Sequence, residues 1–447
     1  MIVLWTDALI FMLLIALALM IGYLRNKAQM LRPLRKIGQN KAGLAALTVL
    51  LFFVLIGLLD SVHFKSPDHQ TREIISLLDY WATPIRESGE KTYSAPFAAH
   101  LYSKEFMIAP DGSRHWGTPR LKHGGAHLTN PVQQKFADIM TRTAQGLAKG
   151  AALYLFFGVL FRLWRRGRHK ALFPGPASKT VAWVLFVIVT LTFAVIELSA
   201  HYHVLGTDMV GEDVLYQAVK SIRTGLVIGT LTTLIMLPLA IVFGILAGFF
   251  GGWIDDVIQY SYTTLNSIPG VLLIAASILM VQVYMANHPE AFTSVVVRAD
   301  MRLLFLCIIL GMTSWTGLCR LLRAETLKLR EMEYVLAAQT LGVRQSRILF
   351  RHILPNVMHI VIISVVLDFS SLVLAEAVLS YINIGVDPAT YSWGNMINGA
   401  RLEMAREPVV WWSLTAAFLF MLTLVLAANI VADAVRDAFD PRFMDNA

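Results

Sequence analysis

The sequence predicts an all-α polytopic membrane protein with about nine transmembrane helices. Three observations carry that reading: the composition, the apolar runs of helix length, and the placement of positive charge. Of 447 residues, 56% are apolar and only 15% are charged, where a soluble domain carries about 25% charged. The same figures exclude disordered, collagen-like and disulfide-rich secreted chains. Lys and Arg exceed Asp and Glu by 8. The excess is gathered in a few short stretches, which fits membrane orientation before nucleic-acid binding. Cys307 and Cys319 share one apolar run, about 18 Å apart along a helix, too far to bridge within it.

A helix needs about 20 largely apolar residues to cross the hydrocarbon core, where every backbone amide must be paired internally. Nine runs qualify: Ile2 to Gly22, Gly43 to Leu59, Ala144 to Leu163, Lys179 to Ser199, Thr224 to Phe250, Val257 to Tyr284, Leu303 to Leu318, Val357 to Tyr381, and Val409 to Val431. The third is the weakest, with Lys149 near its start. The first opens with Asp7 and no Lys or Arg. It therefore lacks the positive n-region of a signal peptide and is expected to remain a permanent helix.

Orientation follows the short basic loops. Arg25, Lys27, Arg32, Arg35, Lys36 and Lys41 lie between the first two runs with no acid, and Arg162, Arg165, Arg166, Arg168 and Lys170 follow the third, again with no acid. Both loops belong on the cytoplasmic side, which places the N-terminus outside and the C-terminus inside. Arg320 to Arg351, with seven Lys or Arg against three Glu, then also falls inside. Gly251 to Asp256 runs against the rule, carrying Asp255 and Asp256 and no cation.

The first outer connection, 60–143, is a long polar insertion without cysteine, expected to form a small extracytoplasmic domain or excursion that does without disulfides. It holds His63, His69, His100, His115, His123 and His127. His123 and His127 have helical i, i+4 spacing, but Gly124 and Gly125 between them argue against a helix. No carboxylate or thiol completes a metal set, so no metal and no cofactor is expected.

Catalytic motifs are missing. The chain has no G-x-x-x-x-G-K-[ST] loop for ATP, no H-E-x-x-H, no G-x-S-x-G and no cysteine pairs at zinc spacing, which points to a non-enzyme. Within the apolar runs the main ionisable pair is Asp368 and Glu376. They are candidates to line a path, or else to cap a broken helix near Ser370 and Ser371 or pair with a partner chain.

The most informative segment is Glu333-Tyr334-Val-Leu-Ala337-Ala338-Gln-Thr-Leu-Gly342, followed by Val343 to Arg351 and His352-Ile-Leu354-Pro355-Asn356. It reads as helix, break, helix. Gly342 ends the first helix as a C′ residue, Arg344 to His352 resumes it, and Pro355 starts the next span. Ala337 and Ala338 leave one surface bare for another protein, although an amphipathic connector on the bilayer interface also suits Arg344, Arg347 and Arg351. The spacing Ala-Ala, three residues, Gly, then Leu-Pro twelve and thirteen residues later resembles the cytoplasmic EAA loop of ABC importer permeases.

Further likeness follows in the family's order. Leu205-Gly206-Thr207-Asp208 through Gly211-Glu212-Asp213-Val214-Leu215 is similar to the G-T-D-x-x-G-R-D-V-L stretch of dipeptide and oligopeptide permeases. Gly248 to Asp255, Leu374-Ala-Glu376-Ala, Ser392-Trp393-Gly394 and Val435-Arg-Asp437-Ala-Phe-Asp440-Pro-Arg442 resemble the same family. The chain thus resembles, over about 203–442, the C-type subunit of the peptide/nickel importer permeases. Leu336 stands where the family has its first EAA glutamate, with Glu333 one turn earlier, and Glu212 stands where the family usually has Arg.

This resemblance implies a five-helix importer permease core at 201–447 with a coupling loop at 320–356. It adds two N-terminal helices (1–59), the insertion (60–143) and two further helices (144–200), on which the family is silent. It implies a second permease subunit, two ABC ATP-binding subunits, a periplasmic solute-binding protein and a bacterial inner membrane, for peptides or related small solutes. Glu333, Tyr334, Ala337, Ala338, Gly342, Leu354 and Pro355 would form the ATPase contact. Gly206, Thr207, Asp208, Gly211 and Asp213 would face the solute-binding protein, and Trp393 would join Asp368 and Glu376 along the path. The competing expectations are an ion-coupled secondary transporter and a receptor or scaffold whose insertion senses a ligand.

Overall fold

A computed structural model of the chain describes residues 3–24, 36–65, 74–108, 114–165, 176–292 and 294–439. The basic stretches 25–35 and 166–170, the side chains of Arg162 and Arg165, His69, and the motif residues 440–442 lie outside the described residues. In chain order the helices are α1 (Trp5–Leu24), α2 (Lys41–Asp60), α3 (Leu77–Trp81), α4 (Thr83–Arg86), α5 (Pro131–Arg165), α6 (Pro176–Ser199), α7 (Val214–Phe250), α8 (Gly252–Ser267), α9 (Gly270–Asn287), α10 (Val295–Arg330), α11 (Glu333–Thr340), α12 (Gln345–Ile348), α13 (Leu354–Tyr381), α14 (Trp393–Glu403) and α15 (Trp412–Phe439). Two short antiparallel hairpins are all the sheet among the described residues: β1 (His63–Lys65) with β2 (Ile74–Ser76), and β3 (Glu105–Ile108) with β4 (Arg114–Gly117).

Among the described residues, seven helices are long and apolar enough to cross a membrane, over 41–60, 131–160, 179–199, 214–250, 270–287, 345–381 and 412–438. The first expected run lies in α1, whose Trp5–Ile15 part is a shorter apolar helix. Leu303 to Leu318 lies inside the 36-residue α10, which is not among the seven. The expected run from Val257 to Tyr284 is corrected: it divides into α8 and α9. Pro269 has no N–H to donate and forces Ile268 to an extended conformation at φ −90°, ψ 130°, so the crossing helix starts at Gly270. One of the two acids that make the exception in the charge rule, Asp255, also finds its reason. Asp255 stands in the first turn of α8 and is paired bidentately with Arg323 at 2.6 Å and 2.6 Å. Those bonds hold its carboxyl below the usual range against the effect of burial, so it is one half of an ion pair rather than a bare acid.

The chain divides into two compact units, the first comprising 1–2, 38–224 and 391–427, the second 3–37, 225–390 and 428–447. In the first unit, α2 is opened by Asn40, whose side chain accepts from the Gly43 N–H at 3.0 Å. Ser76 and Asp79 form a reciprocal capping box on α3. α5 and α6 pack along small residues. A Cβ at Gly146 would lie 2.6 Å from Ala194 Cα, and one at Gly150 would lie 2.8 Å from Thr190 Cα. The G-x-x-x-G spacing is therefore what lets the two backbones meet, and Lys149 pairs with Glu197 at 2.6 Å along the same seam. α5 starts at Pro131, so the last turns of the expected insertion are already helix.

In the second unit, α7, α10 and α13 supply one apolar core. Met236, Ala240, Leu318, Leu322, Val357 and Val361 are buried together, and Val227, Ile228, Leu231, Leu306 and Leu310 form a further cluster. α1 is tied to α10 by its first turn. The N–H groups of Trp5 and Thr6 donate to Asp300 at 2.9 Å and 3.3 Å, and the Thr6 hydroxyl donates to the same carboxylate.

Candidate functional site

The elbow between α10 and α13 is built from local rules. Glu333 occupies the first turn of α11, where a carboxylate is favoured by the helix dipole. The helix ends in a Schellman pair. The Gly342 N–H reaches Gln339 O at 3.0 Å and the Val343 N–H reaches Ala338 O at 3.0 Å, with Gly342 at φ +72°. The reading of Gly342 as the break is therefore correct in kind.

Pro355 stands in the first turn of α13, as expected of a residue that starts the span. It does not separate the second arm from the span. α12 passes through a π-helical turn, Leu349–Ile353, directly into α13. A proline within a continuous helix deprives the carbonyl four residues earlier of its partner and crowds it, and a widened turn just before Pro355 absorbs that defect. Leu354 is half-buried and Pro355 exposed.

The elbow has an inner and an outer face. Val335, Ala338, Ile348 and Ile353 are buried in the same core as α7 and α10. The bare Ala-Ala surface is thus corrected to a single alanine: Ala337 is exposed, while Ala338 points into the core. Tyr334, Leu336, Leu341 and Phe350 are exposed, Leu341 at 81% and Phe350 at 72%, so the elbow carries apolar side chains outward from a buried base. The Tyr334 hydroxyl accepts from Asn356 Nδ2 at 3.1 Å, which joins the two arms.

In the first unit the outer stretch 203–216 forms a tight turn held by the insertion. Asp208 Oδ1 accepts the N–H groups of Val210 and Glu212, each at 2.9 Å, and Thr207 bridges to Asp213 across the turn. Asp213 Oδ1 accepts from Leu215 N and Tyr216 N at 2.8 Å and 3.2 Å, capping α7. The Thr207 hydroxyl accepts from Ser94 N at 2.7 Å and donates to Thr92 O at 2.9 Å, while its carbonyl accepts from Trp412 Nε1 at 2.9 Å. Gly206 and Gly211 adopt φ +73° and +83°. The Gly211 carbonyl accepts from Glu90 N at 2.9 Å, and a Cβ there would sit 1.9 Å from Glu90 O.

Glu90 and His203 are the centre of this clasp, and nothing in the sequence singled out either. Glu90 accepts the backbone N–H groups of Lys122, His123 and Gly124 at 2.9, 2.7 and 3.1 Å. His203 Nδ1 bonds Asp213 Oδ2 at 2.7 Å, and its Nε2 lies 3.5 Å from Glu90 Oε1. Burial pushes Glu90 up, but His203 and the three amides outweigh it and hold the carboxyl at about 2. Burial likewise pushes His203 down, but its two carboxylates outweigh it and raise the imidazole to about 9. The two partners are 113 residues apart, and the pairing is invisible without the fold.

A second polar knot adjoins the clasp in the same unit. Lys220 Nζ bonds Asp79 Oδ1 and lies 3.5 Å from Asp60; the Tyr216 hydroxyl donates to Asp79 at 2.7 Å. Glu212 accepts from Gln217 Nε2 at 3.0 Å and from the Tyr391 hydroxyl at 3.4 Å.

The three expected path residues are not alike. Trp393 is buried and its indole N–H donates to Ala218 O at 3.0 Å, so its lining role is corrected to packing at the start of α14. Glu376 is 2% exposed and accepts from the Ser380 hydroxyl at 2.7 Å. Asp368 is half-buried on the same helix, and its carboxylate has no hydrogen-bond or ion-pair partner among the described residues.

Residues 240–445, which include the whole elbow, match the family described as the binding-protein-dependent transport system inner membrane component. The oligopeptide transport system permease protein of Bacillus subtilis is 30% identical over 240 residues, covering 54% of this chain and 72% of the relative. That of Mycobacterium tuberculosis is 32% identical over 239 residues, covering 54% and 76%. The dipeptide transport system permease protein of Lactococcus lactis is 31% identical over 240 residues, covering 54% and 64%. Nearly half of this chain thus has no counterpart in those alignments, and three of its candidate spans, 41–60, 131–160 and 179–199, precede the family match, which holds the elbow. The chain belongs to the binding-protein-dependent transport system inner membrane components and is a transmembrane permease subunit of an ABC importer.

Proposed function

We propose that this chain works in a bacterial inner membrane as one of two permease subunits of an ATP-driven importer for peptides or related small solutes. Its other partners are two ABC ATP-binding subunits and a periplasmic solute-binding protein. The supporting observation is the elbow: Leu341 and Phe350 are held out on a base buried in the core of the second unit. Each such side chain gains about 1.5–3 kcal/mol when covered, so a partner surface is the natural destination for the pair. The peptide assignment draws on the names of the relatives, which transport oligopeptides and dipeptides.

The elbow is also built to transmit. Its second arm continues through the π turn into α13 without a loop, so a displacement of the elbow by an ATPase carries directly into a crossing helix. Asp368 on that helix offers a polar point on the path. The stretch Gly206 to Asp213, in a turn fixed on several sides, presents exposed Val210 and Glu212 toward the solute-binding protein. The insertion 60–143 serves as its support.

The test is co-purification. The chain expressed with its neighbouring ATP-binding subunit should retain it, and Ala337→Trp or Phe350→Ser should release it while the chain still inserts. Unchanged retention by both variants would overturn the elbow as the coupling site. Uptake of labelled dipeptides by the assembled complex tests the substrate class separately.

A further inference from the structure

Away from the elbow and the clasp, the second unit holds a cleft of about 690 Å³ lined by Gln282, Met285, Phe292, Arg298, Arg302 and Asp387, among others. That volume falls within the range of small-molecule sites, about 300–1,000 Å³. Its walls are the last turns of α9, the first turns of α10, and the segment after α13. α10 runs from this cleft to the elbow and α13 runs back, so the cleft lies at the far ends of the two helices that carry the elbow.

The cleft gathers more positive charge than it neutralises. Asp387 Oδ2 lies 3.6 Å from Arg302 Nη1 and 3.9 Å from Arg298 Nε, both longer than the 2.7–2.9 Å of a tight charged hydrogen bond. Its other oxygen accepts the Ala389 N–H at 3.0 Å. Two guanidinium groups therefore face one carboxylate that is shared with the backbone. Arg302 is largely buried, with a side-chain exposure of 13%, and its Nε has no hydrogen-bond partner among the described residues, which is costly for a buried charged donor. Arg298 is half exposed at 52% and reaches the open side. Glu290 in the neighbouring turn is not among the lining residues. α10 begins here without a side-chain cap from Ser294, so its positive end adds to the same field.

We propose that this cleft binds an oxyanion, a carboxylate or phosphate, gripped by Arg302 from within and Arg298 from the open side. Met285 and Phe292 receive the apolar part of the molecule that bears it. The source is either a small solute or a lipid headgroup. The proposal does not depend on the transported solute being a peptide.

The full-length chain is purified in detergent, and also in nanodiscs of phosphatidylcholine with and without phosphatidylglycerol. It is titrated with trialanine, trialanine amide and inorganic phosphate by calorimetry and thermal unfolding. A solute site binds trialanine or phosphate in detergent, and trialanine amide at least about tenfold more weakly than trialanine. Arg298→Gln and Arg302→Gln then each weaken binding about tenfold, and Arg302→Lys restores part of it. A lipid site instead shows stabilisation only with phosphatidylglycerol, lost in the same variants. Binding of phosphate but not trialanine upholds the oxyanion site and assigns it to another solute, while dipeptide uptake by the complex decides the peptide reading independently. Arg298 is half exposed, so its variant folds whether or not Arg302→Gln does. No response to any probe, or equal responses in Arg298→Gln and wild type, overturns the proposal.

Discussion

Gly211→Ala should open the clasp between the insertion and the outer turn, and the size of the effect follows from the geometry. A non-glycine residue in the left-handed region costs about 1–2 kcal/mol, and Gly211 stands at φ +83°. The new Cβ would lie 1.9 Å from Glu90 O and 2.5 Å from its carbonyl carbon. Both are backbone atoms, so the segment must retreat by about 1 Å to reach the closest contact that real Cβ atoms show. That retreat breaks the Glu90 N–H bond to Gly211 O, worth about 0.5–1.5 kcal/mol. It also pulls the Glu90 carboxylate from His203 and the amides of 122–124, where charged hydrogen bonds are worth about 1.5–3 kcal/mol. The local loss is therefore about 3–6 kcal/mol, or two to four decades of exchange rate at about 1.4 kcal/mol per decade. Hydrogen exchange at Lys122, His123 and Gly124 reads it directly. Gly89→Ala, whose Cβ would meet only Gly211 O at 4.0 Å, is the matched control. Protection at 122–124 kept within tenfold in Gly211→Ala would refute the clasp.

The same clasp should respond to pH. The His203 pKa is raised from 6.5 to about 9, so its contribution is complete below about 6.5 and is lost as pH rises through 9. The Glu90 pKa is lowered from 4.5 to about 2, so its contribution is complete above 4.5 and lost as pH falls through 2. Exchange protection at 122–124 should accordingly be greatest near pH 5–6.5, and His203→Gln should abolish the alkaline limb. At the elbow, Ala338→Trp should destabilise the chain by about 1–3 kcal/mol through overpacking, measured by thermal unfolding of the detergent-solubilised protein. Ala337→Trp should leave stability within about 0.5 kcal/mol and act only on ATPase retention; equal destabilisation would contradict the two faces. Asp368→Asn should leave folding intact and reduce uptake in the assembled complex, and normal uptake would dismiss Asp368 from the path.

Much of the helical layout was legible because crossing a membrane demands long apolar runs, which survive any tertiary context. The break at Pro269 was in plain view as a residue that cannot donate, yet the apolar run on both sides masked it. Gly342 was readable because a helix stop is a local matter. The burial of Ala338 was not, since two adjacent alanines give no sign of which one faces a core. Pro355 signalled a helix start, and only the continuous backbone revealed a π turn absorbing it. The clasp was least legible: Glu90, Thr92 and Ser94 meet His203, Thr207 and Gly211 from more than a hundred residues away, and no local pattern encodes a partner at that distance. The two arginines of the cleft drew no notice in the sequence, because Asp387 lies more than eighty residues further along the chain.

The composition of the first unit bears on any attempt to trim this chain to its family-matching part. A fragment beginning near residue 201 would keep α7 to α15 yet strip away α2, α5 and α6 together with Glu90, Thr92 and Ser94. His203 would keep only Asp213, and the Thr207 hydroxyl and the Gly211 carbonyl would lose the partners described above, at about 1–3 kcal/mol for each buried group left unsatisfied. Tyr93 and Tyr102 would go as well, removing the bonds to Glu403 at 3.1 Å and Val409 O at 3.1 Å. The front of the chain is therefore a part on which the 203–216 turn and Glu403 depend for their partners. Excision would need compensating polar-to-apolar replacements at 203, 207 and 403 before a minimal transporter subunit stood on its own.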